Sequence, residues 1–391
     1  MSNPQPDSFT IATGGAVLAG INGTLPAIAS AGVVTALAKN ITSSGFNLLT
    51  TETNDDSIYR HSGHAGCVWD EANQFMWIFG AETHNSVNGM DNAVYRFNVE
   101  NGKFELIQPS NTWPGEYRMD AGGILWADAA HTRPWAMHSF NRMYYDPVSK
   151  IISVLYDPWE HAYWTTPIFE DPAMSGDDRT KCIWHFNTVT AEWTYTSGAG
   201  ITSLSNALDL AKGATFVPGY GWYVIGGTYL RKVDLNGVYS SVNLLAVGAV
   251  NSLDHTKLMY HDGYLYCMMG VSTSSTQFLS IHNIDDPTGD SVEFQRTDFT
   301  ALDGWYTSNK CACLMSDGNI LFIAHNSTAL PNVAGAFIFN TTTRTVTDTG
   351  HRIVCETISY DWKLVWSDKY DCAIWLAASV TSPEQVYMIK V

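Results

Sequence analysis

YRFNVENGKF, residues 95–104, recurs in altered form further along the chain, as WHFNTVTAEW at 184–193 and FIFNTTTRTV at 337–346. Each copy has an aromatic residue two positions before a Phe-Asn pair, then a short polar stretch, then an apolar residue seven positions after the Phe. Asn is favoured at the start of a turn because its side chain accepts hydrogen bonds from the following backbone. The three copies therefore predict one β-hairpin, written repeatedly, in an all-β chain.

A second type of hairpin precedes the first and is found six times. Every copy turns on Asp, Pro or Gly, the residues that accept the dihedral angles of tight turns. The copies lie within residues 61–80, 143–156, 215–227, 258–270, 313–324 and 364–376. Six units of two hairpins predict six four-stranded blades, because blades stacked around an axis bury faces that a lone blade leaves exposed. A two-sheet sandwich is the alternative, and it fits less well because it needs no regular duplication.

The last unit reaches the end of the chain before it supplies a fourth strand. Phe46-Asn47-Leu48-Leu49-Thr50, an isolated strand-like run ahead of the first blade, is the candidate replacement. Its pairing with the C-terminal strand leaves no open edge in the ring. We therefore predict a six-bladed β-propeller over residues 45–391, closed by an N-terminal strand. Residues 1–44 are a short N-terminal extension, either a surface arm or small helix packed on the propeller or an attachment segment.

The repeat resembles the kelch-type propeller repeat. The resemblance rests on small residues after the second strand, Gly80-Ala81 and Gly226-Gly227, an aromatic residue in the third strand, and Trp or Phe in the fourth. It covers residues 45–391, although Tyr156-Asp157 and Gly270-Val271 stand where a diglycine is expected. The resemblance implies a kelch-like propeller and assigns no function.

Composition and charge argue against several classes of function. The chain has 391 residues, of which 13% are aromatic and 15% charged, and its net charge is −17. The 21 Lys and Arg residues form no basic run, so nucleic-acid binding is not expected. The start, MSNPQPDSF, lacks the features of a signal peptide, and polar residues interrupt the apolar stretch at 16–38. We expect synthesis in the cytoplasm, no membrane insertion, and buried free thiols for the seven scattered cysteines.

The loops that join consecutive blades, and those between second and third strands, open on one end of a propeller, here termed the loop face. Eight of the twelve histidines map to such loops, as do the long insertions at 111–135 and 157–179. Long loops on a rigid scaffold commonly carry function, and aromatic faces with polar neighbours suit sugar rings. The predicted ligand-binding residues are His61, His64, His84, Trp113, Arg118, His131, Arg133, Trp159, His161, Trp164 and His255.

Three kinds of chemistry are candidates for this face. Several histidines on one rim suit a transition metal, but no set at metal-ligand spacing can be named, so no metal ligand is assigned and the cofactor is unknown. A lyase acting on uronic sugars needs a base and a cation, and His138, Arg142 and Tyr144 are the candidate catalytic residues if the protein is an enzyme. A sialidase is discarded because the chain has no Ser-x-Asp-x-Gly-x-x-Trp box.

The leading functional hypothesis is a non-catalytic recognition or structural module. The small-residue extension, the acidic and aromatic-rich loops and the absence of an export signal resemble bacteriophage virion components, such as tail or capsid-attached proteins. That resemblance implies that residues 1–44 contact other virion proteins, and that the loop face binds a surface glycan or a partner protein. A lyase-type, polysaccharide-active enzyme using the same face is the alternative, and a cytosolic adaptor is a third possibility.

Overall fold

Six four-stranded antiparallel sheets, one for each predicted unit, form a closed ring. In each blade the strands pair side by side from the innermost, at the axis, to the outermost. The innermost strands contact one another in order, and the last contacts the first, which confirms the six-bladed propeller. This computed structural model describes residues 9–11, 34–37, 45–52, 65–80, 91–111, 118–155, 181–205, 213–226, 229–244, 256–268, 277–289, 291–326, 333–354, 363–377 and 384–391.

The strands are numbered in chain order. Within residues 1–44, β1 (Phe9–Ile11) pairs with β2 (Val34–Leu37), and β3 (Gly45–Glu52) follows. Blade 1 contains β4 (Gly66–Asp70), β5 (Phe75–Phe79), β6 (Val94–Asn98) and β7 (Lys103–Gln108). A small hairpin, β8 (Arg118–Met119) and β9 (Leu125–Trp126), separates it from blade 2. Blade 2 contains β10 (Met143–Asp146), β11 (Ile151–Leu155), β12 (Cys182–Asn187) and β13 (Glu192–Ser197).

A short helix, α1 (Ala199–Ser205), leads to blade 3. Blade 3 contains β14 (Ala214–Val217), β15 (Gly221–Gly226), β16 (Tyr229–Val233) and β17 (Tyr239–Asn243). Blade 4 contains β18 (Lys257–His261), β19 (Tyr264–Met268), β20 (Gln277–Asn283) and β21 (Ser291–Gln295), followed by 3₁₀ turns at Arg296–Asp298 and Thr300–Leu302. Blade 5 contains β22 (Tyr306–Leu314), β23 (Ile320–Asn326), β24 (Val333–Asn340) and β25 (Thr345–Val354). Blade 6 contains β26 (Lys363–Ser367), β27 (Cys372–Ala377), β28 (Glu384–Lys390) and β3.

The predicted N-terminal closing strand is confirmed. β3 pairs antiparallel with β28, with Phe46 opposite Ile389, so both ends of the propeller chain lie in blade 6. Phe46 is fully buried, and its ring centroid lies 5.4 Å from that of Trp375 and 6.4 Å from that of Tyr387. No helix in the described part of the chain is long and apolar enough to cross a membrane.

The hairpin repeated in the sequence is the third-to-fourth-strand turn of blades 1, 2 and 5. The residue four positions after the Asn donates its backbone N–H to the Asn carbonyl. The pairs are Gly102 to Asn98, Ala191 to Asn187 and Arg344 to Asn340, at 2.9, 2.9 and 2.8 Å. Each Asn side chain also accepts a hydrogen bond from the backbone N–H two residues on. These donor residues, Gly102, Ala191 and Arg344, have φ angles of 67°, 58° and 58°, a left-handed conformation that glycine alone adopts without strain.

The hydrophobic core lies between the blades. Successive side chains of an inner strand point in opposite directions, so each inner strand serves two neighbouring clusters. Tyr145 packs towards blade 1 with Trp77, whereas Tyr144 packs towards blade 3, with its ring centroid 4.6 Å from that of Phe216. Because each cluster is shared, every blade depends on its neighbours for burial.

Candidate functional site

Eight of the predicted ligand-binding residues lie outside the described residues and stay predictions: His61, His64, His84, Trp113, Trp159, His161, Trp164 and His255. Arg118 lies in β8, where the backbone alone is described. The structure does describe His131 and Arg133, together with the three candidate catalytic residues. All of these described residues belong to the segment between blades 1 and 2 or to the first strand of blade 2.

His131 forms part of an exposed aromatic surface. Its imidazole stacks on Trp126, with ring centroids 5.2 Å apart and planes 12° from parallel, and its backbone has a left-handed φ of 57°. Trp126 is buried, and its other neighbours include Tyr195 of β13, whose side chain is 40% exposed, at a centroid distance of 5.5 Å. We term Trp126, His131 and Tyr195 the aromatic ledge. Flat, partly exposed rings of this kind stack on sugar rings or apolar side chains.

Asp120 fixes the Trp at the base of the ledge. The Trp126 Nε1–H donates to Asp120 Oδ2 at 2.8 Å, and the backbone N–H groups of Gly122 and Ile124 donate to Oδ1 at 2.8 and 3.0 Å. Burial raises the pKa of Asp120, but the hydrogen bonds from Trp126 and the backbone outweigh that effect, so the pKa lies below its usual value. The carboxylate therefore stays charged at neutral pH and holds the indole in one orientation.

Arg133 anchors this segment to blade 1. Its Nη2 donates to the carbonyl of Asn92 at 3.3 Å. Asn92 is buried, and its Nδ2 donates to Pro134 O at 2.9 Å and to Asn111 Oδ1 at 3.0 Å. Arg133 thus has a structural contact in the described chain, and its predicted ligand contact stays a prediction.

The candidate catalytic residues occupy two environments. His138 and Arg142 flank Phe140: the His138 ring centroid is 5.2 Å and the Arg142 Cζ 5.4 Å from the phenyl centroid. They are 3% and 0% exposed, respectively, and Phe140 has a left-handed φ of 38°. Tyr144 instead packs towards blade 3, where burial, with a smaller effect from Asp146, raises its pKa. A general base must reach the proton that it abstracts, and the burial of His138 opposes that role in this conformation.

Side chains from several blades meet in the central channel. The Lys257 Nζ at the start of β18 in blade 4 donates to Asn141 Oδ1, which precedes β10 in blade 2, at 3.2 Å. Asn141 Nδ2 donates in turn to Thr256 O at 2.9 Å. Burial raises the pKa of the Cys67 thiol in blade 1, and the charges of Lys257 and Lys363 partly offset that rise. The contact between Lys257 and Asn141 thus joins blade 4 to the segment that precedes blade 2.

Two thiols in the core between blades 5 and 6 are affected by the same lysine. The charge of Lys257 also acts on Cys311 and Cys313 of blade 5, two thiols whose pKa is raised mainly by burial. We term Asn141, Lys257, Lys363, Cys67, Cys311 and Cys313 the axial cluster. The six described cysteines are free, and all but Cys67 are buried. Within the described ranges no group of three or more His, Cys, Asp and Glu residues is arranged to hold a metal ion.

Lys257 and Lys363 were missed because sequence reasoning followed the histidines. The signal for them lies in the register of the inner strands. The residue four positions before the last paired residue of the first strand is, in blade order, Gly66, Arg142, Gly213, Lys257, Lys310 and Lys363. Cations therefore occupy this position in blades 2, 4, 5 and 6, and glycine occupies it in blades 1 and 3.

Comparison with known proteins finds distant structural likeness. No family model and no curated protein matches the chain. An exo-beta-1,3-galactanase from Phanerochaete chrysosporium has a TM-score of 0.40 and 10% identity, over 81% of this chain and 67% of its own. A luciferin-regenerating enzyme has a TM-score of 0.46 and 7% identity, over 88% and 95%. An auxiliary nutrient binding protein from Bacteroides thetaiotaomicron has 0.44 and 8%, over 83% and 69%. No function follows from likeness at this level.

Proposed function

We propose that this propeller is a recognition module whose loop face binds a glycan or a partner protein without chemical turnover. The observation that carries the proposal is the contact between Lys257 of blade 4 and Asn141 of the segment before blade 2, where the inner strands begin. A site assembled from several blades is held by the whole ring and needs no single flexible loop. The aromatic ledge adds apolar rings beside the same blade 2 entry segment.

The burial of His138 and Arg142 supports binding in preference to catalysis. A lyase needs a base and a cation in contact with the sugar, and these two side chains are covered. The lyase alternative retains one observation in its favour. Phe140, between the two side chains, has a left-handed backbone, and such strain is concentrated at functional sites.

A binding screen and a turnover screen on the same glycan panel separate these functions. The recognition module predicts binding without product. Tyr195→Ala should weaken glycan binding at least tenfold, whereas Tyr229→Ala, which removes an equally exposed Tyr from blade 3 (38% against 40%), should leave binding unchanged. A rise in ultraviolet absorbance from unsaturated uronates, abolished by His138→Ala, establishes the lyase instead. Absence of binding to every glycan and every candidate protein contradicts both.

We further propose that the module is a kelch-like component attached to a bacteriophage virion through residues 1–44. The support is compositional: these residues are rich in Ala, Gly, Ser and Thr. The test is deletion of residues 1–40 followed by purification of particles. The proposal requires particles that lack the protein while the deleted chain still folds. Particles that retain the shortened protein at full occupancy contradict it.

A further inference from the structure

We propose that the loop-face end of the channel is a binding site for one anionic group, the carboxylate or sulfate of an acidic sugar, with Lys257 and Asn141 as its primary ligands. The inference rests on the proposed recognition function and names the class of ligand.

The Lys257 ammonium lacks a carboxylate partner within the described ranges. An ammonium group has three N–H donors, and here one of them reaches Asn141 Oδ1 at 3.2 Å. Its other charge interactions are with the thiols of Cys67, Cys311 and Cys313, which burial keeps protonated and neutral. The chain carries 38 acidic residues against 21 Lys and Arg, and none of the acidic residues that the structure describes pairs with this half-buried lysine. Withdrawing a cation from water is costly unless an anion compensates it.

Further cations share the position of Lys257. Arg142 and Lys363 occupy the equivalent place at the start of the inner strands of blades 2 and 6. Burial raises the pKa of the Cys67 thiol, and the charges of Lys257 and Lys363 both act against that rise.

Glycines stand at the equivalent position in blades 1 and 3, and each leaves room for the segment that leads into the next blade. A Cβ on Gly213 would lie 2.6 Å from Thr256 O, and Thr256 immediately precedes Lys257. A Cβ on Gly66 would lie 2.1 Å from Phe140 O, two residues before Arg142. Each glycine therefore lets the entry segment of the next blade come close and sets the position of the cation that follows.

The overall charge of the protein restricts the ligand. A net charge of −17 repels polyanions at long range. Local attraction from Lys257 acts only within the Debye length, about 8 Å at physiological salt. The site therefore suits a sugar that carries one carboxylate or sulfate among neutral rings, with the aromatic ledge available for those rings. Binding should weaken as salt concentration rises.

Titration calorimetry on the full chain tests the proposal, with four probes: a galactose oligosaccharide that carries one galacturonate, a galactose oligosaccharide that carries one sulfate, inorganic sulfate and a neutral galactose oligosaccharide. The variants are Lys257→Met and Lys257→Gln, with Lys257→Arg to keep the charge. The matched control is Lys103→Met, which removes the same charge from an exposed position on β7. Equal melting temperatures of the variants and the wild type establish that each is folded.

We expect an acidic oligosaccharide to bind the wild type, with affinity at least tenfold lower in Lys257→Met and Lys257→Gln and within twofold in Lys103→Met and Lys257→Arg. The carboxylated and sulfated probes identify which acid is preferred. Equal affinity of wild type and Lys257→Met for an acidic sugar overturns the inference and leaves the recognition function standing. Equal affinity for inorganic sulfate and for the acidic oligosaccharides also overturns the inference, because the site then recognises the negative charge alone and not the sugar. If none of the oligosaccharides binds, the inference fails, and the full glycan and protein screen decides the proposed function.

Discussion

Glu71 joins the first blade to the last at the end of the ring opposite the loop face. It follows β4 in the first turn of blade 1, and each of its carboxylate oxygens accepts two hydrogen bonds. The donors are Trp69 Nε1 at 2.6 Å, Gln74 Nε2 at 3.0 Å, and the backbone N–H groups of Asp368 and Lys369 at 3.1 and 2.8 Å. The last two donors belong to the first turn of blade 6. Glu71→Gln should therefore weaken the contact that joins the two blades.

The expected loss follows from the number of donors left without an acceptor. Glutamine keeps one side-chain oxygen and replaces the other with an NH₂ group, so two of the four donors lose their partner. A hydrogen bond to a charged group contributes about 1.5–3 kcal/mol. Water reaches the exposed turn of blade 6 and recovers part of that energy. We expect the free energy of unfolding to fall by about 2 kcal/mol.

Urea unfolding followed by tryptophan fluorescence measures this loss as a shift of the midpoint at constant slope. Glu100→Gln is the matched control, because it is the same substitution at the same junction. Glu100 pairs with Lys369 Nζ at 2.5 Å, but its side chain is 52% exposed, and such surface pairs contribute about 0–1 kcal/mol. A Glu71→Gln midpoint no lower than that of Glu100→Gln refutes the reasoning.

Three further predictions concern stability. Phe46→Ala should lower the free energy of unfolding by about 3–5 kcal/mol, because it empties a fully buried position in the closing strand; a change below about 1 kcal/mol in urea contradicts that role. Gly66→Ala should lower the melting temperature, since its Cβ would lie 2.1 Å from Phe140 O and 2.7 Å from Met143 Sδ; a melting curve that superposes on the wild type rules out this close approach. Burial lowers the pKa of His282 to about 4, so the unfolded chain takes up its proton first as pH falls from about 6.5. The free energy of unfolding should therefore fall by up to about 3 kcal/mol as the pH falls from about 6.5 to about 4. His282→Gln should flatten this decline, and identical pH profiles of stability for the wild type and the variant would contradict the prediction.

The ring architecture could be predicted because the turns repeat the same local chemistry. Asn98, Asn187 and Asn340 each begin a turn with the same backbone and side-chain hydrogen bonds, so their spacing gives the register of three blades. The closing strand followed from a requirement of pairing: blade 6 needed a fourth strand and Phe46 began the one unassigned run. These predictions use short-range sequence patterns and the need of an edge strand to pair with another strand. Both can be seen in a single sequence.

The role of the long insertion before blade 2 could not be predicted in the same way. The sequence placed Trp135 in a loop suited to ligands, but Trp135 is 2% exposed and its Nε1 donates to Trp126 O at 2.6 Å. Five residues of this segment join the cluster that blades 1 and 2 share, namely Ile124, Leu125, Trp126, Ala127 and Trp135. Aromatic residues serve a wedge between sheets and a sugar-binding loop equally well, so composition does not distinguish them. His131 is exposed, and its own backbone has the left-handed φ of 57°, a conformation that the sequence alone did not indicate.

Glu71 and Lys257 carry opposite charges and lie at opposite ends of the inner strands, where they have different roles. Glu71 stabilises the ring at the turn end, and Lys257 lies where the strand begins at the loop face. An inner strand of five residues spans about 16 Å, roughly two Debye lengths at physiological salt. Glu71 therefore lies too far from Lys257 to pair with it. The acidic ligand proposed for Lys257 thus does not meet the carboxylate that joins blades 1 and 6.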